Sequence, residues 1–191
     1  MTAIYKTFGG AVLSGALLLA SVPANGQGTV EVYTATAAVK TAAGAAATAP
    51  VTITIDRKMS QAEADKLGAA FRAGGAAALR KALVGVPPTG TIRLGASNPT
   101  PTRVTIERVT DKGRLLTILT DQALFFIGAG LPGAKPQTGF DFAVVDLEVD
   151  AKGVGSGNLA PAAKLKMNEN AFVVEDYGAE AVRLTSVTKA K

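Results

Sequence analysis

A chain of 191 residues with neither histidine nor cysteine must do any chemistry it does with carboxylates, hydroxyls and amines. That excludes a Ser-His-Asp triad, a Cys-His pair, and zinc sites built on histidine or thiolate. It also removes the side chain that most often moves protons near neutral pH. The densest group of carboxylates is Asp146, Glu148 and Asp150, which alternation puts on one face of a predicted strand, with Asp141 on the other. Such a stripe can offer oxygen ligands to calcium or supply an acid/base pair. The competing use is cross-strand ion pairing, and it is the stronger expectation. A hairpin closing through residues 151–158 would bring Lys164 and Lys166 near Asp146, and pairs of that kind contribute about 0.2–1 kcal/mol each. Glu175 and Asp176 are neighbours, so a strand sends them to opposite faces.

Two strings match catalytic or cofactor signatures without their context. Gly128-Ala129-Gly130-Leu131-Pro132-Gly133 has the spacing of a dinucleotide loop, but Pro132 and Pro136 follow and no helical pattern begins. Without a helix N-terminus there is nothing to hold a pyrophosphate, so the string reads as a Gly/Pro loop and no cofactor is expected. Ser186-Val187-Thr188-Lys189 matches S-x-x-K but lies in a Val/Thr-rich terminal strand, where residues three apart face opposite sides. The Gly/Pro loop is flanked by Phe125, Phe126, Phe140 and Phe142. These four are the candidates for lining an apolar pocket, with core packing as their competing role.

The elements that would carry these residues are mostly strands. Residues 51–55 alternate Val and Ile with Thr, the period-two mark of a half-buried strand. Ser60 with Glu63 forms a capping box, so a helix should start there, with Leu67 and Phe71 inward. Gly74-Gly75 should break or kink it, and a second helical piece follows with Leu79 and Leu83 inward, stopped by Gly85 and Pro87-Pro88. Further strands are expected at residues 91–94, 103–110, 114–120, 140–150, 159–167, 172–177 and 182–188. Asp111-Lys112-Gly113 and Asn168-Glu169-Asn170 suit tight turns. No helix alternates with these strands, which argues against a parallel sheet. The expected fold is α+β: an antiparallel sheet, strongly curved or barrel-like, with one helical hairpin packed on it.

The chain begins with the parts of a secretory leader. Lys6 is the only charge among the first thirty residues and precedes an apolar run, with Pro23 and small residues near 24–26. The run is too short and glycine-diluted for a spanning helix, which needs roughly 20 apolar residues. The expected organisation is a signal peptide at residues 1–26, a flexible Ala/Thr/Gly-rich tail at 27–50, and one domain at 51–191. Residues 29–34 could pair as a strand within that tail. A product exported to the periplasm or cell exterior follows, with no integral membrane segment after cleavage. Losing the leader removes one lysine and no acid, taking the formal charge from +5 to +4. The basic residues are dispersed and aromatics make up 5% of the chain, so no nucleic-acid partner is expected. An envelope protein is the kind of partner left open.

From Val51 onward the chain resembles a group of exported bacterial proteins of unknown function. The resemblance is carried by Val51-Thr52-Ile53-Thr54-Ile55-Asp56-Arg57, Gly90-Thr91-Ile92-Arg93, Thr120-Asp121, Asp146-Leu147-Glu148, Glu175-Asp176-Tyr177 and Val182-Arg183-Leu184-Thr185-Ser186-Val187, in that order. It implies export and a single domain, and transfers no functional residue.

Two functions fit these observations. The favoured expectation is a non-enzymatic binding or accessory module of the periplasm or extracellular space. The alternative is a carboxylate-dependent hydrolase using Asp141, Asp146 or Glu148, which requires two of these acids to converge in a cleft.

Overall fold

The computed structural model describes residues 29–40, 46–124, 139–168, 171–176 and 182–190. The expected leader, Phe125, Phe126, the Gly128 to Gly133 string and the residue pair Glu169-Asn170 lie outside the described residues.

Nine strands and one helix follow in order: β1 (Glu31–Lys40), β2 (Ala46–Ile55), α1 (Gln61–Leu83), β3 (Gly90–Leu94), β4 (Thr100–Thr110), β5 (Gly113–Thr120), β6 (Phe142–Val149), β7 (Val154–Asn168), β8 (Ala171–Asp176) and β9 (Val182–Lys189). Every pairing is antiparallel. β1 to β7 follow one another as a meander, and β9 joins β7 to β1, so these eight strands close into a barrel. β8 stays outside the ring, pairing with the distal half of β7 from Lys164 to Asn168. Closure removes the open edges that a sheet of this size would otherwise expose.

An eight-stranded barrel has an interior just wide enough for side chains to fill it. Here alternate residues fill it: Tyr33, Ile53, Ile92, Leu116, Ile118, Leu147, Leu159 and Leu184 are all almost fully buried inside. β1 contributes Ala35, Ala37 and Val39 to the same core. This corrects the expected flexible tail at residues 27–50 for its described parts, Glu31–Lys40 and the residues from Ala46 on, which are strand. The segment is alanine-rich because small side chains suit a crowded barrel wall, and β1 gains ladders to β2 on one side and β9 on the other. The reading by composition gave it little apolar surface to bury and could not count those two ladders.

The helix lies on the outside of the wall. Ser60 caps it, accepting from the Glu63 amide, while the Glu63 carboxylate accepts from the Ser60 amide at 2.8 Å. Leu67, Leu79 and Leu83 bury themselves against Val104, Leu119, Phe142, Val144, Ala160, Ala163 and Leu165 of the strands beneath. Phe71 meets Phe172 of β8 edge to face, with ring centroids 5.8 Å apart. Full burial of a leucine of this kind stabilises the fold by about 1.5–3 kcal/mol. The expected helical hairpin is corrected to a single helix with a kink. Gly74 and Gly75 leave helical geometry, Gly75 at φ +64°, and the helix resumes directly after them with no connecting loop. No helix among the described residues is long and apolar enough to cross a membrane.

Candidate functional site at one end of the barrel

Strand direction brings the start of β1, β5 and β7 and the end of β2, β4 and β9 to the same end of the barrel. The inward positions at this end are charged. Glu31 continues the inward face of Tyr33, Ala35 and Ala37; Arg114 continues that of Leu116 and Ile118; and Glu107 sits across from Leu116. Lys58 arrives from the segment between β2 and the helix.

Lys189 faces inward for a separate reason. β9 carries a bulge where its register shifts against both β1 and β7. Ser186 in that bulge holds φ +52°, and Leu184 and Val187, three apart, are both fully buried. One extra residue reverses the alternation that follows. Without it, Lys189 would point outward. Gly153 makes room for it, because a Cβ there would come within 2.4 Å of the Lys189 Cβ.

These side chains form one network around Glu31, whose side chain is 9% exposed. The Arg114 guanidinium donates to both its oxygens, Nη1 to Oε1 at 3.2 Å and Nη2 to Oε2 at 3.1 Å. Tyr33 donates its hydroxyl to Oε2 at 2.6 Å and accepts from Arg114 at 2.7 Å. Lys58 donates to Oε1 at 3.0 Å, and Lys189 stands 3.4 Å from Oε2. Glu107 accepts from Arg114 at 3.0 Å and pairs with Lys58 at 2.5 Å.

The network shifts four of its groups in definite directions. Burial alone would raise the Glu31 carboxyl, but hydrogen bonds from Tyr33, Lys58 and Arg114 outweigh it and hold the group at about 2. Glu107 is lowered too, its own burial outweighed by Lys58 and Arg114. Burial and the Glu31 carboxylate push the Tyr33 hydroxyl well above its ordinary range. Lys58 is raised, its burial overcome by Glu107 and Glu31. Glu31 and Glu107 are thus held ionised, Lys58 protonated and Tyr33 neutral near neutral pH, which suits these four to displaying charge and hydrogen bonds.

A pocket of about 430 Å³ opens onto this network, lined by Thr29, Glu31, Ile55, Asp56, Arg57, Lys58 and Lys189. That is a size suited to a small molecule. Arg57 is already engaged with Glu63 at 3.0 Å and with the Pro87 carbonyl.

The carboxylates singled out from sequence have separate partners. Asp141 pairs with Arg80 at 3.1 Å, Asp146 accepts from the Thr117 hydroxyl at 2.7 Å, and Glu148 is exposed. The expected pairing of Asp146 with Lys164 and Lys166 is corrected as well. β7 begins at Val154, so the register sets Asp146 opposite Asn158, while Lys164 lies 4.0 Å from Glu175. Asp150 accepts from the amides of Lys152 and Val154 and shapes the β6–β7 turn. Among the described residues no three carboxylates gather in a way that could hold a metal ion. Burial raises Asp146, only partly offset by Thr117 and Arg108. Of the four candidate pocket phenylalanines two are described: Phe142 is fully buried beneath the helix and spends its ring on packing, while Phe140 is half-buried.

Sequence reasoning missed the whole network. Two of its members lie in the segment taken as a tail, and the others are scattered along the chain. The usable signal was the pairing of Tyr33 with Ala35 and Ala37 on one face and Thr34 with Thr36 on the other.

No family model, curated protein or solved structure matches this chain.

Proposed function

We propose that this protein is a non-enzymatic binding module whose ligand is taken at the charged end of the barrel. The observation that carries the reading is the pocket itself: it opens directly onto the Glu31 network, while the described barrel interior beneath it is filled with side chains. A packed barrel offers a ligand its ends and not its lumen. The directions in which Glu31, Glu107, Lys58 and Tyr33 are shifted favour recognition over proton transfer by those groups.

Export to the periplasm or cell exterior is part of the same proposal. Its support is the sequence: Lys6, the apolar run behind it, the small residues around Ala24, and the resemblance to exported bacterial proteins.

The test is a thermal-shift screen of the protein and of Thr29→Trp, which fills the pocket mouth, against metal ions, sugars, fatty acids, nucleotides and small anions. Saturable stabilisation of the first by one class, absent in the second, supports the reading. Equal stabilisation of both places the ligand elsewhere and overturns it.

A further inference from the structure

The charged network is balanced without Lys189. Glu31 and Glu107 supply two negative charges, and Lys58 and Arg114, in contact with both, supply two positive ones. Lys189 is the third cation. Among the described residues its carboxylate contact is with Glu31, and at 3.4 Å it is the longest ion pair Glu31 makes. Its side chain is 33% exposed and lines the pocket. Three local features direct it there: the β9 bulge, the left-handed backbone of Ser186, and a glycine at position 153. Strain of that kind is retained where the surrounding structure fixes it, and sites of recognition are where it gathers.

We infer that Lys189 is the ligand-contacting cation of this site and that the ligand presents a small oxyanion, a carboxylate or a phosphate, to it. The inference rests on the binding-module reading and names the chemistry of the same pocket. An incoming oxyanion takes the Lys189 ammonium and gains a second donor in Lys58. Glu31 keeps its bidentate Arg114 and its Tyr33 hydroxyl, so releasing Lys189 does not strand a buried charge. Asp56, an exposed carboxylate in the pocket wall, opposes the anion and sets a limit on affinity.

Titration calorimetry with the full chain tests this, using inorganic phosphate in one arm and acetate in the other to separate the two oxyanions. The expected result is saturable binding of one of them, weakened by added chloride as screening requires. Lys189→Met should weaken it about tenfold or more, the loss of one charge-assisted hydrogen bond, while Lys189→Arg retains it and Asp56→Asn tightens it. Circular dichroism checks that each variant is folded. If the wild type binds and Lys189→Met binds equally well, the assignment of Lys189 is overturned. If neither anion binds while a neutral compound stabilises the protein at the mouth, the oxyanion inference falls and the binding-module reading stands. If nothing binds at the mouth, both fall.

Discussion

Arg114 grips Glu31 with both guanidinium nitrogens, at 3.1 and 3.2 Å, across 83 residues of chain. The two side chains come from strands on different sides of the barrel and meet inside its end, so their pairing ties β1 to β5 where no backbone ladder does. Bidentate geometry makes such a pair strong and fixes its orientation. Tyr33, bonded to both partners, and Glu107, bonded to Arg114, complete the cage. The charged end is thus a plug for the barrel and, on its outer side, the floor of a pocket.

Glu31→Gln should be among the more damaging single changes at this end. Removing one partner of a fully buried pair costs about 3–5 kcal/mol, and access of water to Arg114 and Lys58 reduces that to about 2–3 kcal/mol. For a domain of this size that is a melting point lower by about 5–10 °C. Glu107→Gln, with a more exposed carboxylate, should cost less. Thermal denaturation of the two variants side by side checks the order.

Acid should unfold the protein partly through Glu31. Its carboxyl is lowered in the fold to about 2 from an ordinary value of 4.5, so the stabilisation it gives is present above pH 4.5 and is lost as pH falls toward 2. At 1.36 kcal/mol per unit the full shift would be worth about 3 kcal/mol, and screening by the water that reaches the network lowers this to about 2 kcal/mol. Denaturant melts between pH 5 and pH 2 should show a fall that Glu31→Gln flattens. An equal slope in both proteins would assign the acid sensitivity elsewhere.

Asp146 carries the opposite sign. Its carboxyl is raised by burial, so ionising it works against the fold, and stability falls as pH rises through its folded value. Asp146→Asn keeps an acceptor for the Thr117 hydroxyl and should be neutral or stabilising at pH 7, by up to about 1 kcal/mol. A loss greater than that would mean the charge has a partner the Thr117 bond does not represent.

The approach of Lys189 to the pocket depends on backbone. Gly153→Ala puts a methyl group where φ is +80° and against the Lys189 Cβ, and should cost about 1–2 kcal/mol while displacing the lysine. Ser186→Gly should be tolerated to within about 1 kcal/mol, since glycine adopts φ +52° without strain. Ser186→Val should be worse than either wild type or glycine. Chemical denaturation ranks the three.

Much of this architecture was legible along the chain. The capping box at Ser60, the inward Leu67, Leu79 and Leu83, and the order of the strands from β2 onward follow from local periodicity, although β2 begins at Ala46 and β7 at Val154, each five residues ahead of the expected start. β1 was harder because its polarity runs against expectation: Glu31 and Tyr33 face inward while Val30 is exposed and Val32 only half-buried. An inward glutamate makes sense only beside Arg114 and Lys58, and no local pattern brings those three together. Lys189 was hidden by the bulge. Strict alternation assigns it the outer face, and only the pairing of β9 with both neighbours reveals the extra residue. The register of the β6–β7 hairpin misled in a similar way, because Asp150 closes a shorter turn than the glycines after it suggested.

The most direct test of a ligand site at the barrel end is an amide NMR titration of the ¹⁵N-labelled full chain with the compound that gives the largest thermal shift. Saturable shifts centred on Glu31, Ile55, Asp56, Lys58 and Lys189, with the helix and β8 unmoved, are the result predicted. Shifts centred on the outer face around Leu67, Phe71 and Phe172, or none at the barrel end, would contradict it.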